Sequence, residues 1–182
     1  MGFSVHTGWA AAVVVAGTPR APVLLARERV DLVDGERFVY HAAAELDLAH
    51  AEKLVAGTAA TARRLAAEAI RRLRGDHVLR ACAVVAGATP APEALADVLR
   101  AHPFIHAAEG RLYRDALLAG GKHARLATTF LAAKGLDEAA AGALGADAKL
   151  VDRMGKTFGP PWSKDQRMAA LAAWIVLAVT PG

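Results

Sequence analysis

The chain has 182 residues, 54% of them hydrophobic, and a formal net charge of +4 at pH 7. This length allows a sizeable core without disulfide or metal support, and no linker-like stretch divides it, so we expect one domain over residues 1–182. Cys82 is the only cysteine, which excludes disulfides within the chain and a thiolate metal cluster.

Membrane insertion is not expected from the apolar segments. The longest, residues 9–17 and 168–179, are shorter than the ~20 residues that a spanning helix needs. The first residues lack the basic start of a signal peptide, and the lone thiol fits a reducing compartment. These observations predict a cytoplasmic protein without a membrane partner.

The first part of the chain predicts strands and then a long helix. Residues 2–15 are predicted to form one strand, residues 23–32 a second and residues 37–41 a third. Short turns join them, so an antiparallel meander of three strands is expected. Residues 50–74 then carry apolar side chains at helical spacing, and Gly75 is expected to end this helix.

The second part alternates further elements. Residues 78–86 are a short apolar run, which is typical of a buried central strand. The elements predicted after it are helices at 89–100 and 104–118, a strand at 124–131, a weakly helical region at 137–158 and a helix at 164–178. Ser163 is expected to cap the last helix.

This order of elements predicts an α/β fold. A mixed sheet with a three-strand antiparallel meander and further parallel strands, covered by helices on its faces, is the arrangement of the ribonuclease H-like superfamily. We expect the first strand to lie at the centre of that sheet.

Two polar segments stand at the ends of this arrangement. The triplet His6-Thr7-Gly8 follows the first apolar residues, and Asp165 opens the last helix ahead of Ala170-Leu171-Ala172. These segments resemble the RuvC-type Holliday-junction resolvases, whose first strand ends in Asp-x-Gly and whose last helix opens with an acid. The resemblance implies a bacterial protein that hydrolyses phosphodiesters of nucleic acid with divalent metal ions. The segments around Trp9 and Trp162 are also similar to those of a bacterial family with no assigned activity.

The chain departs from the resolvase pattern at three acidic positions, and His6 stands at the first of them, in place of the aspartate that ends the first strand. The family has a glutamate at the end of the buried central strand, but residues 78–87 contain no acid. The second acid of the last helix is replaced by Met168 or Ala169. Two-metal hydrolysis needs several carboxylates, so two functions stay open. One is a metal-dependent phosphodiesterase; the other is a non-catalytic nucleic-acid- or protein-binding module that kept the fold and lost the catalytic carboxylates.

The candidate catalytic and metal-ligating residues are His6, Glu109 and Asp165. Glu109 follows His106 by three positions, so both lie on one helical face and suit metal ligation or proton transfer. We expect His6, Glu109 and Asp165 to converge on one divalent ion, manganese or magnesium. The candidate phosphate-binding residues are Thr7, Gly8, Arg114 and Lys164.

Each candidate also has a structural interpretation. His6 is equally compatible with a hydrogen-bonded core histidine, and Asp165 stabilises a helix dipole whatever its function. Trp162 is expected to pack rather than to stack on a base. The expected partners are nucleic acid and a second copy of the chain. The arginines of residues 63–74 are either phosphate contacts or a solvated helix face.

Overall fold

The computed structural model describes residues 1–180, which contain a five-stranded mixed sheet of order β3-β2-β1-β4-β5. The strands are β1 (Gly2–His6), β2 (Trp9–Thr18), β3 (Ala21–Asp31), β4 (Ala81–Ala86) and β5 (Ala127–Ala132). The helices are α1 (Val39–Ala44), α2 (Leu48–Arg74), α3 (Leu95–Val98), α4 (His102–His123), α5 (Leu136–Leu144), α6 (Val151–Phe158) and α7 (Lys164–Val179), with a 3-10 helix at Gly145–Leu150.

The sheet has the predicted mixed character, with β1 at its centre. β1 and β2 pair antiparallel, as do β2 and β3, whereas β1–β4 and β4–β5 are parallel. The three-strand meander is confirmed, but its strands differ from those predicted. Residues 2–15 form two strands, because the chain reverses at Thr7-Gly8, where Gly8 has a φ of +80°.

The prediction of a third meander strand at residues 37–41 was wrong. Val39 begins α1 instead, and Val39 and Tyr40 are buried in the core cluster that contains α2 and α4. Residues with a preference for strands form a helix here, because their burial against neighbouring helices outweighs that local preference.

Two helix predictions also needed correction. The predicted helix at 89–100 is reduced to the four residues of α3, and α4 continues past the paired glycines that were expected to end it. A β-carbon at Gly120 would lie 3.0 Å from Ile70 Cδ1, and one at Gly121 would lie 2.7 Å from Thr128 Oγ1. These glycines therefore allow close packing inside a helix rather than ending it.

The two faces of the sheet carry separate apolar clusters. Phe3 of β1 lies in the cluster with α1, α2 and α4, whereas α5, α6 and α7 form the second cluster with β2 and β4. Gly2 faces α7 so closely that a β-carbon there would lie 2.1 Å from Ala169 O. Alternation along β1 therefore directs Gly2, Ser4 and His6 toward α7.

The last helix begins where the sequence predicted. The Ser163 hydroxyl accepts from the Gln166 amide at 3.2 Å, and Gln166 Oε1 accepts from the Ser163 amide at 3.0 Å, which completes a capping box. Within residues 1–180, no helix is both long enough and apolar enough to cross a bilayer.

Candidate functional site

The end of the central strand carries a His–Asp pair. His6 Nε2 lies 2.7 Å from Asp165 Oδ1, and the two side chains are 42% and 26% exposed. β1 ends at His6, and α7 begins beside that end of the strand. The helix runs antiparallel to β1, because its first turn lies near His6 and its residues 169–173 lie near Gly2. The pair is thus accessible to solvent and to ligands.

An aromatic and cationic stack extends from this pair. The Trp9 ring stacks on His6 with a centroid distance of 4.4 Å and an interplanar angle of 7°. The Arg29 guanidinium lies over Trp9, 4.2 Å from a ring centroid, and also donates to Asp31 at 2.9 Å. Lys164 is exposed next to Asp165. This end of the sheet therefore presents two cations and one stacked indole around a single His–Asp pair.

Non-acidic residues occupy the neighbouring positions. The parallel register pairs Ser4 with Val85, and extending it by two residues places Gly87 beside His6. Met168 follows Asp165 by three positions, about one turn along α7. The pair thus supplies one carboxylate, where two hard divalent ions would need several.

The segment before α7 is held by packing. A β-carbon at Gly155 of α6 would lie 2.3 Å from the Trp162 ring, so the indole lies directly on the α6 backbone. The Arg27 guanidinium donates to the carbonyls of Gly159, Pro160 and Pro161. Trp162 has the predicted packing role, and these contacts fix the position of Asp165.

The candidate phosphate-binding residues are dispersed. Thr7 and Gly8 form the β1–β2 turn, and the Gly8 carbonyl accepts from the Leu32 amide at 2.8 Å. Arg114 of α4 donates to Asp115 at 2.8 Å and lies over Phe130 of β5, so it is held on the α4 side of the sheet rather than beside Asp165. Lys164 alone combines exposure with a position beside Asp165.

Glu109 lies apart from the His6–Asp165 pair. It belongs to α4, on the opposite face of the sheet from α7, and its side chain is only 1% exposed. Its Oε1 is 2.9 Å from His41 Nδ1 and 3.5 Å from the His41 amide nitrogen. The structure thus brings together two of the three predicted ligands, and it gives the third a different partner.

Burial around Glu109 affects a neighbouring tyrosine. Tyr113 follows Glu109 by one helical turn, is fully buried and donates to the Arg37 carbonyl at 2.6 Å. Burial, with a smaller contribution from the Glu109 and Glu36 charges, raises the pKa of Tyr113 to about 12. The phenol therefore stays protonated and holds the segment that leads into α1.

The sequence indicated His106 but not the histidine cluster that it forms next to Glu109. His41, His102 and His106 each offer a ring nitrogen, and these three atoms lie within 4.8 Å of one another. The spacing of His102 and His106 on one helical face was a usable signal. His41 gave no such signal, because residues 37–41 were predicted to form a strand.

The basic segment of α2 is partly neutralised. Arg72 Nη2 lies 2.6 Å from Glu28, and Arg64 Nη1 lies 3.1 Å from Glu68. These ion pairs favour the solvated helix face that was one of its two interpretations.

Comparisons with known proteins support the fold. No family model and no curated protein sequence matches the chain. Among solved structures, Thermus thermophilus RuvC in complex with a Holliday junction substrate is similar at 18% identity, with a TM-score of 0.59, over 97% of this chain and 91% of that one. A second Thermus thermophilus RuvC structure is similar at 16% identity, with a TM-score of 0.53, over 96% and 89%. The chain therefore has the RuvC-like, ribonuclease H-like fold that its sequence predicts.

Proposed function

We propose that this chain binds branched or otherwise structured nucleic acid and does not cleave it by a two-metal mechanism. The fold supports nucleic acid as the ligand, by analogy with the RuvC structure that holds a Holliday junction. The chain's own residues support the absence of two-metal cleavage.

The observation that carries the proposal is the His6–Asp165 pair at the end of β1. In RuvC-type resolvases this end of the sheet is acidic, whereas here an imidazole bonds the carboxylate of Asp165 at 2.7 Å. Gly87 and Met168 stand where further carboxylates would be needed. The donor set does not fit two hard divalent ions.

The surrounding charges favour a phosphate backbone as the ligand. Lys164 lies beside the pair, Arg29 lies over Trp9 while it also donates to Asp31, and Asp165 lies in the first turn of α7, near the positive end of the helix dipole. When cationic side chains contact phosphates, counterions are released from the nucleic acid, so the binding affinity depends on salt concentration.

The test measures binding and cleavage together. Fluorescence anisotropy would compare a labelled four-way junction with a duplex of the same arm sequence, a single strand and an RNA hairpin, at several salt concentrations. We expect tighter binding to the junction than to the duplex. Lys164→Gln and Arg29→Gln should each reduce the salt slope by about one.

A matched variant controls for general charge. Arg80→Gln removes an exposed cation just before β4, at the other end of the sheet, and should leave the junction preference unchanged. Absence of binding to all four ligands at low salt would overturn the proposal. Cleavage of the junction with magnesium or manganese that is lost in Asp165→Asn would also overturn it, in favour of the phosphodiesterase. The predicted homodimer stays a prediction, which light scattering on the same sample would measure.

A further inference from the structure

We propose that His41, His102 and His106 form a binding site for one zinc ion, with Glu109 as the carboxylate that orients His41. The site lies on the α4 side of the sheet, whereas the His6–Asp165 pair lies on the α7 side. The inference therefore does not depend on the proposed nucleic-acid function.

The spacing of the ring nitrogens fits a tetrahedral ion. Zinc–imidazole bonds of ~2.0–2.1 Å at tetrahedral angles separate two ligand nitrogens by ~3.3 Å. His41 Nε2 and His102 Nε2 are 3.3 Å apart. The ring nitrogens that the three histidines offer all lie within 4.8 Å of one another, and His106 is exposed, so its ring can rotate toward the other two.

The backbone positions two ligands in advance. His102 and His106 are one helical turn apart in the first two turns of α4, so their side chains share a face. His41 comes from α1, which packs against α2 and α4. An ion at this point would link α1 to α4 and would leave a fourth coordination position for water or another ligand.

Glu109 gives His41 the tautomer that a metal requires. The His41 Nδ1–H donates to Glu109 Oε1 at 2.9 Å, which leaves the Nε2 lone pair directed away from the carboxylate and toward His102. Metal-binding histidines commonly donate their second nitrogen to a carboxylate in this way, because the bond fixes the ring and raises its basicity.

The burial of Glu109 is a second, independent observation. Its side chain is 1% exposed, and among residues 1–180 its Oε2 is buried without a hydrogen-bond partner. A buried carboxylate is costly unless positive charge lies nearby. A divalent ion on the far side of the His41 ring would supply that charge through the imidazole.

The ligand chemistry selects the class of ion. Three imidazoles suit borderline ions such as Zn²⁺, whereas Mg²⁺ and Ca²⁺ prefer oxygen ligands. The three rings otherwise meet edge to face, with the His102 and His106 centroids 4.3 Å apart.

The experiment uses untagged protein that has been stripped with a chelator. Zinc uptake would be followed by competition with a chromogenic chelator, and ¹⁵N spectra of the imidazoles would report which nitrogens bind. We expect one zinc per chain, with the Nε2 resonance of His41 and ring resonances of His102 and His106 shifting together. Magnesium should cause no shift.

Variants separate ligation from general effects. His106→Asn and His102→Asn should each weaken zinc binding more than 100-fold, whereas Glu109→Gln should weaken it about 10- to 100-fold through His41. His123→Asn, at the other end of the same helix, should bind as the wild type does. Circular dichroism would establish that each variant is folded. Wild-type affinity in a folded His102→Asn/His106→Asn double variant, or failure of the wild type to take up zinc, would overturn the proposal.

Discussion

The imidazole of His6 and the carboxylate of Asp165 are joined by a 2.7 Å hydrogen bond across 159 residues of sequence. The bond ties the end of the central strand to the first turn of the last helix. It therefore couples the position of the candidate site to the packing of α7 on the sheet.

Replacing either member of this pair should cost little stability. Both side chains are partly exposed, so we expect a coupling free energy of about 0.5 kcal/mol in a double-mutant cycle of His6→Gln and Asp165→Asn. Asp165→Asn should cost a further few tenths of a kcal/mol, since it removes a charge near the α7 N-terminus. Urea unfolding would measure both. A coupling free energy of zero would contradict a stabilising pair.

Gly2→Ala should destabilise the fold strongly. The new methyl group would lie 2.1 Å from Ala169 O and 2.6 Å from Ala173 N, and both are backbone atoms of α7. We expect the free energy of unfolding to fall by about 2–3 kcal/mol, the range of severe overpacking.

Gly57→Ala is the matched control for this change. Gly57 is exposed within α2, and a β-carbon there would meet nothing within 4 Å. The free energy of unfolding should rise by about 0.5–1 kcal/mol because alanine favours a helix. Equal effects of the two substitutions would show that α7 does not rest on Gly2.

Stability should fall in alkaline solution through Cys82. Burial raises the pKa of this thiol to about 11, whereas an unfolded cysteine titrates near ~8.5. Between these values the unfolded chain loses the proton that the folded chain keeps, so unfolding becomes easier as pH rises. The stabilisation from the protonated thiol is complete below the pKa of the unfolded cysteine, and about 2 kcal/mol of it is lost by pH ~10.

Cys82→Ala tests this contribution. The variant should be less stable at neutral pH because it leaves a small cavity, but its stability should depend less on pH between ~8.5 and ~10. Urea unfolding at several pH values would measure both chains. Identical pH slopes for wild type and variant would contradict the buried, protonated thiol.

Tyr113→Phe should loosen the segment before α1. The Tyr113 hydroxyl donates to the Arg37 carbonyl at 2.6 Å, and its loss should cost about 1–2 kcal/mol. Amide hydrogen exchange should accelerate at residues 37–41 more than in β4. Uniform acceleration across both segments would instead indicate a global loss of stability.

Local sequence signals predicted the main plan of the fold. Periodic apolar positions identified α2, the apolar run identified β4 to within three residues, and Ser163 marked the start of α7. These predictions succeeded because helical spacing, capping and burial are properties of short segments. The segments around His6 and Asp165 also placed both residues at the end of the sheet.

Only the tertiary structure decided the remaining features. The reversal at Thr7-Gly8 lies inside a largely apolar stretch, and α1 consists of residues that local preference assigns to a strand. The approach of His41 to His102 joins residues 61 positions apart, and it depends on α1 packing beside α4. No local pattern encodes such contacts, because they arise when distant apolar surfaces are buried together. The sequence by itself determined the class of fold and the end of the sheet that carries polar residues; the packing of α1, α4 and α7 decided which of those residues meet.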